Sequence, residues 1–266
     1  MSMVKISIEN SEYQIISSLK LNREKRSKLK ELFIEGTECI KQAVSANYEI
    51  TRIIINNNKD LSGWGKNLIE NNKDAKIINM SDRLYNELSD KTNPSEMLVT
   101  VKMKQNKIDE ITDINQFILV FDRPSDHGNL GSIIRSANAF GVDAVFIAGH
   151  GADAYESKVI RASMGSVFHT KIFIIESMEK LTEFVKTQKD KNNMQVIGTD
   201  SKADVSLINY KLEKPIMLII GNEAKGMSKK LIELCDKIIK IPMKGDINSL
   251  NVSNAASILM WEIFKS

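Results

Sequence analysis

Residues 122–141 read DRPSDHGNLGSIIRSANAFG and lie between two short apolar runs, FILVF (117–121) and AVFIA (144–148). Each run has the length of a strand. Between them Leu130, Ile133, Ile134, Ala137 and Phe140 recur at helical spacing, and Gly141 stands where a helix would stop. The stretch therefore predicts a strand, turn, helix, strand unit. That geometry hangs a loop over the carboxyl ends of a parallel sheet, where open α/β folds bind ligands. Arg135 lies off the apolar stripe; alone it reads equally well as a solvated charge or as a working residue.

The same alternation continues to the C-terminus. A helical stretch around 154–162, a strand at 171–175, an amphipathic helix at 178–186 and strands at 195–198 and 216–220 follow. A short helix at 228–235, a strand at 237–241 and a closing helix at 251–264 complete the series. Strands this apolar, without polar alternation, imply a parallel sheet covered on both faces. Ahead of residue 117, ELFIEG (31–36) predicts a strand ending in a Gly turn, with Thr37 as N-cap of the next helix. Strands at 50–55, 76–80 and 97–101 alternate with helices near 66–70 and 81–88, which makes a small α/β domain. The polar run KQNKIDEITD (104–113) has the character of a linker. The expected organisation is a first domain over 1–105, a linker over 106–115 and a second domain over 116–266.

With 266 residues, 42% hydrophobic and 27% charged, the chain has the composition of a folded soluble protein. No run approaches the roughly 20 apolar residues of a spanning helix, and MSMVKISIENSEYQ lacks the apolar core of a signal peptide. A cytoplasmic protein without membrane contact is expected. Cys39 and Cys235 are far apart and read as reduced and structural; His127, His150 and His169 are scattered, so no metal site is expected. The net charge of +3 arises entirely within residues 1–105, the remainder being balanced. There Lys20, Arg23, Lys25, Arg26, Lys28 and Lys30 are opposed only by Glu24. This density suits phosphate contacts, and it also suits a solvated helix face.

Three loops follow apolar strands and precede helices, so they should converge at one edge of the sheet. The first is HGNLG (127–131), with Arg135 in the helix it starts. The second, GNEAKGMS (221–228), has the glycine spacing of a phosphate-binding P-loop, but Met227 stands where that motif needs Lys. No G-x-G-x-x-G follows any strand, which argues against a dinucleotide enzyme. The third is IPMKGDINSLNVS (241–253), where Ser249 or Asn251 can serve simply as an N-cap.

Together these loops resemble the three signature motifs of the SpoU/TrmH-type RNA 2′-O-ribose methyltransferases of the SPOUT superfamily. The first is Asn129-x-Gly131-x-x-x-Arg135-x-Ala137, and the second Ile220-Gly221-Asn222-Glu223-x-x-Gly226. The third is Ile241-Pro242 followed by Ser249-Leu250-Asn251-Val252-Ser253, and RASMGSVFHTKI (161–172) looks like the family's middle segment. The first domain, with its Glu35-Gly36 turn, looks like the ribosomal-protein-like substrate-binding domain that many members carry.

The resemblance implies a trefoil knot at the C-terminal side, a homodimer, and S-adenosylmethionine held largely by backbone groups at Thr199, Gly221, Ile241 and Leu250. It implies that Arg135 binds the phosphate beside the target ribose and steers its 2′-hydroxyl, while Asn129 orients Arg135 or the ribose. Glu223 would position the nucleotide, and Ser249 and Asn251 would hold the third loop against both substrates. The appended domain favours 23S ribosomal RNA as substrate. A tRNA methyltransferase and a non-catalytic RNA-binding or ribosome-assembly protein are the alternatives. His127 replaces a proline found in many relatives, and either contacts RNA or caps the turn.

Overall fold

The chain opens on a strand and a helix that its sequence pattern signals only weakly: β1 (Met3–Ile6) and α1 (Ser11–Leu21). The Asn10 side chain caps α1 by accepting from Tyr13 N at 3.0 Å, and a sparse stripe of Tyr13, Ile16 and Leu19 is buried. There follow α2 (Arg23–Leu29), β2 (Glu31–Glu35), α3 (Thr37–Ser45), β3 (Ile50–Asn56), α4 (Gly63–Asn71), β4 (Lys76–Met80), α5 (Asp82–Leu88) and β5 (Met97–Lys102). Their sheet has the order β1-β4-β3-β5-β2, with β5 antiparallel to β3 and β2 and the other pairings parallel. One expectation shifts by a residue. The N-cap of α3 is Gly36 rather than Thr37, at φ +105°, a backbone conformation that glycine enters without penalty.

This computed structural model describes residues 3–108, 111 and 116–266. Of the expected linker, residues 109, 110 and 112–115 lie outside the described residues. The second sheet begins with β6 (Phe117–Asp122), followed by α6 (His127–Ala139), β7 (Ala144–Ala148), α7 (Ser157–Ala162), β8 (Ile172–Ile175), α8 (Met178–Asn192) and β9 (Gln195–Thr199). It ends with β10 (Val205–Ser206), β11 (Ile216–Ile220), α9 (Lys229–Leu234), β12 (Lys237–Lys240) and α10 (Val252–Lys265). All seven strands run parallel in the order β10-β12-β9-β11-β6-β7-β8. Every residue of β6, β7 and β11 is buried, which explains their unbroken apolar sequence. Leu130, Ile133, Ile134 and Ala137 of α6 are buried as well, and Gly141 ends the helix at φ +68°. Because β6, β11 and β12 are parallel, the three motif loops leave the same edge.

By contacts the chain divides into two units, Met1–Lys104 with Tyr155–His169, and Gln105–Ala154 with Thr170–Ser266. Within the first, Arg161 of α7 meets Glu35, which is fully buried. Glu35 accepts from Arg161 Nη1 and Asp90 N, both at 3.0 Å, and from Ser89 Oγ. Arg161 also lies 2.6 Å from Asp90, whose other oxygen is 2.7 Å from Lys20 Nζ. Burial alone would raise the Asp90 carboxyl, but Lys20 and Arg161 hold it below its ordinary range. The segment is fixed further by Phe168, edge-on to Tyr48 at 4.9 Å between ring centres, and by His169 Nε2, 2.9 Å from Gln42 Oε1.

These contacts correct the reading of the basic run. Arg26 is 2% exposed, and its guanidinium donates to the Leu19 and Lys20 carbonyls at 2.9 and 3.1 Å. It closes the C-terminus of α1 and is not available to phosphate. Lys20 is engaged by Asp90. Arg23, Lys25, Lys28 and Lys30 are exposed.

Candidate active site

Glu223 organises the meeting of the loops. Its carboxylate accepts from Ser125 N at 3.1 Å, Ser125 Oγ at 2.6 Å, Asp126 N at 3.3 Å and Asn129 Nδ2 at 3.4 Å. Burial would raise the Glu223 carboxyl, but the Ser125 hydroxyl and the backbone N–H groups of 125 and 126 outweigh that and hold it below the ordinary carboxylate range. The second loop is thereby fastened to the first. Asn129 Oδ1 in turn accepts from Asn251 Nδ2 at 3.0 Å, which brings in the third loop. Asn251 also caps α10, its Oδ1 accepting from Ser253 N at 2.8 Å. Capping and site-building are therefore one role here. At α6 the N-cap is Asp126, accepting from Asn129 N at 2.7 Å, and His127 is the first residue of the helix.

Beside this junction lies a cavity of about 510 Å³, within the roughly 300–1,000 Å³ usual for cofactor sites. Thr199, Gly221, Ile241 and Leu250, the four positions expected to hold the cofactor, all line it, as do Asn129, Glu223, Ser249 and Asn251. Thr199 Oγ1 donates to the Ile219 carbonyl at 3.1 Å, so its hydroxyl ties β9 to β11. Glycine at 221 is required by the loop itself. A Cβ there would lie 2.4 Å from Met227 N and 2.5 Å from Gly226 C, inside the loop's own backbone. Asn222 and Gly226 close that loop with paired backbone bonds of 3.1 and 3.0 Å.

Arg135 stands exposed on α6, six residues beyond Asn129 and so about 9 Å further along the helix. The amide of Asn129 is engaged by Glu223 and Asn251 and not by Arg135. Cys39 and Cys235 are both pushed up to about 11 by burial, which leaves their thiols unreactive near neutral pH. Among the described residues, no cluster of three or more His, Cys, Asp or Glu is arranged to hold a metal ion, and no helix is long and apolar enough to cross a membrane. Sequence reasoning passed over Asp122, Arg123, Ser125 and Asp126, which build the first loop. Their signal was the run of polar and turn-forming residues that closes β6 at Asp122 and follows it.

The profile of the SpoU rRNA Methylase family matches residues 116–261, and that of the SpoU L30e-like domain matches residues 10–100. The 23S rRNA (uridine(2479)-2′-O)-methyltransferase of Streptomyces viridochromogenes is 33% identical over 261 residues, 97% of this chain and 91% of that protein. The crystal structure of the SpoU methyltransferase AviRb from Streptomyces viridochromogenes in complex with AdoMet has a TM-score of 0.90 at 32% identity, covering 97% of this chain and 98% of that one. A crystal structure of an RNA 2′-O ribose methyltransferase has a TM-score of 0.81 at 27% identity, covering 97% of both chains. The chain belongs to the SpoU rRNA methylase family and carries an L30e-like domain ahead of its methylase domain.

Proposed function

We propose that the protein transfers a methyl group from S-adenosylmethionine to a ribose 2′-hydroxyl of structured RNA, with 23S ribosomal RNA as the substrate. The observation that carries this reading is the convergence of Asn129, Glu223 and Asn251, from three loops, on one cavity lined by all four expected cofactor positions. The named activity of the Streptomyces relative supports the choice of RNA.

The cavity suits the methyl donor. Ile241, Leu250 and Leu259 offer apolar surface to an adenine ring or a methionine stem, while the turns at Gly221 and Gly226 present backbone groups to polar atoms. When bound, S-adenosylmethionine supplies an electrophilic methyl group on a sulfonium. The chain's residues must then align a weak nucleophile, the 2′-hydroxyl, and help its proton leave. Arg135 stays protonated under nearly all protein conditions and is no base. Exposed on α6, it binds the phosphate beside the target ribose and orients the hydroxyl, and that phosphate can assist proton removal. Asn129 and Asn251 face the same junction and hold the third loop. Glu223 works mainly by fixing residues 125–129, since its oxygens already accept five hydrogen bonds, one of them from Asn222 Nδ2 at 3.4 Å. Ser249, exposed where it lines the cavity, helps hold the third loop against both substrates.

RNA is held by the first unit through Arg23, Lys25, Lys28 and Lys30, with Lys202 and Lys225 exposed at the cavity rim adding contacts near the target. Two copies pair through the end of α10. There Phe140, Trp261 and Phe264 form a ring cluster with centres 5.7–6.0 Å apart, while Trp261 is 48% and Phe264 50% exposed. Apolar surface of this kind marks an interaction site. Calorimetry tests the reading: S-adenosylmethionine and its demethylated product should bind with one site per chain, and ATP and NAD should not. Binding of ATP or NAD in place of the methyl donor would overturn it.

A further inference from the structure

Arg123, the first residue after β6, has φ +50°, in the left-handed region that few non-glycine residues enter. This conformation folds its side chain back on the residue before it. Nε and Nη2 each donate to the Asp122 carboxylate at 2.9 Å, and Nη2 also donates to the Gly226 carbonyl at 3.1 Å. The Arg123 carbonyl accepts from Asn222 Nδ2 at 2.6 Å. Asp122, 2% exposed, takes a further bond from Ser228 N at 2.7 Å. Residues 122–123 thus grip the second loop at Asn222, Gly226 and Ser228.

The neighbouring turn is shaped to admit this arrangement. A Cβ on Gly149 would lie 2.9 Å from Arg123 Cγ, and one on Gly151 would lie 2.5 Å from the Pro124 carbonyl oxygen. Ala152 N donates to that same oxygen at 2.7 Å. Strained backbone persists only where its surroundings hold it, and such residues cluster where function needs a fixed geometry. The loop held here is one wall of the cavity, from Gly221 to Gly226.

We infer that Arg123 is a positioning residue for the methyl donor. It does not line the cavity itself; it acts through Gly226 and Asp122 to keep the wall preformed, so that the donor's binding energy is not spent on ordering the loop. The inference rests on the reading of this cavity as the donor site.

The test uses the full chain with Arg123→Gly, which accepts the positive φ without strain and removes the whole side chain, guanidinium included, and with Arg123→Lys, which keeps the charge beside Asp122. Donor and product affinities are measured by calorimetry, and KM and kcat with ribosomal RNA. Loss of a charge-assisted bond should weaken donor binding by roughly tenfold. KM for the donor should rise in step, kcat at saturating donor should stay within about twofold, and Arg123→Lys should recover part of the affinity. Should Arg123→Gly melt below the assay temperature, Arg123→Lys carries the comparison by the same split. Wild-type protein that fails to bind the donor sinks the reading of the cavity. Wild-type protein that binds, with variants matching its affinity and KM or losing kcat alone, overturns the role of Arg123.

Discussion

At the scale of single residues, geometry separates groups that sequence left together. Arg135 and Arg26 are both arginines on helices, yet one is exposed on α6 and the other is buried on carbonyls at the end of α1. The signature motif marked the first; nothing local marked the second, because its burial depends on how α1 and α2 meet. Arg135→Ala should abolish methyl transfer and leave donor affinity within about twofold, since transition-state contacts can be lost without ground-state binding; retained turnover in a transfer assay would remove the role assigned to it. Glu223 makes a pH prediction. Its carboxyl is held low in the folded protein, so its contribution is fully present above the unfolded value of about 4.3 and is lost as pH falls through the lower folded value. Glu223→Gln should lower the melting temperature by a constant amount above about pH 5.5, and that difference should shrink below pH ~4. A difference independent of pH would mean that the carboxylate charge is not what holds the loop.

At the scale of elements, the second sheet was largely legible because buried parallel strands write continuous apolar runs, and α6 carries a periodic apolar stripe with Gly141 as its stop. The first sheet was less so. β1 is four residues long with one buried side chain, and β5 turns antiparallel, a choice that strand composition does not encode. The packing of 155–169 with the first unit was also invisible, since Arg161 finds Glu35 across 126 positions of sequence. Removing one partner of a buried charge pair leaves the other uncompensated, at a cost of about 3 kcal/mol or more. Arg161→Met should therefore lower the urea midpoint sharply, and adding Glu35→Gln should recover part of the loss; equal and additive losses would show that the pair is not coupled. For the loops, Gly221→Ala places a methyl 2.4 Å from Met227 N, so the second loop must shift. Overpacking of this kind costs roughly 1–3 kcal/mol and should weaken donor binding together with stability. Unchanged affinity by calorimetry would contradict the account of that glycine.

At the scale of the whole molecule, composition described only a folded protein and strand–helix alternation only its α/β class, and the cavity emerged from strands far apart in the chain. β6, β9, β11 and β12 must lie in one parallel sheet before Asn129, Thr199, Glu223 and Asn251 can share a cavity. The loop motifs carried that arrangement through resemblance, and the bond between Asn129 and Asn251 gave it a physical form. The exposed rings of Trp261 and Phe264 make a further prediction: Trp261→Glu with Phe264→Glu should convert a dimer to a monomer in sedimentation, and a wild-type protein that sediments as a monomer would end the proposal of pairing. The central claim is most directly tested by incubating the purified protein with methyl-labelled S-adenosylmethionine and 23S ribosomal RNA lacking the modification, then mapping the label by nuclease digestion and mass spectrometry. The expected result is one labelled ribose 2′-oxygen, absent with Arg135→Ala. Label on a base, or none with any ribosomal RNA under conditions where the donor binds, would contradict it.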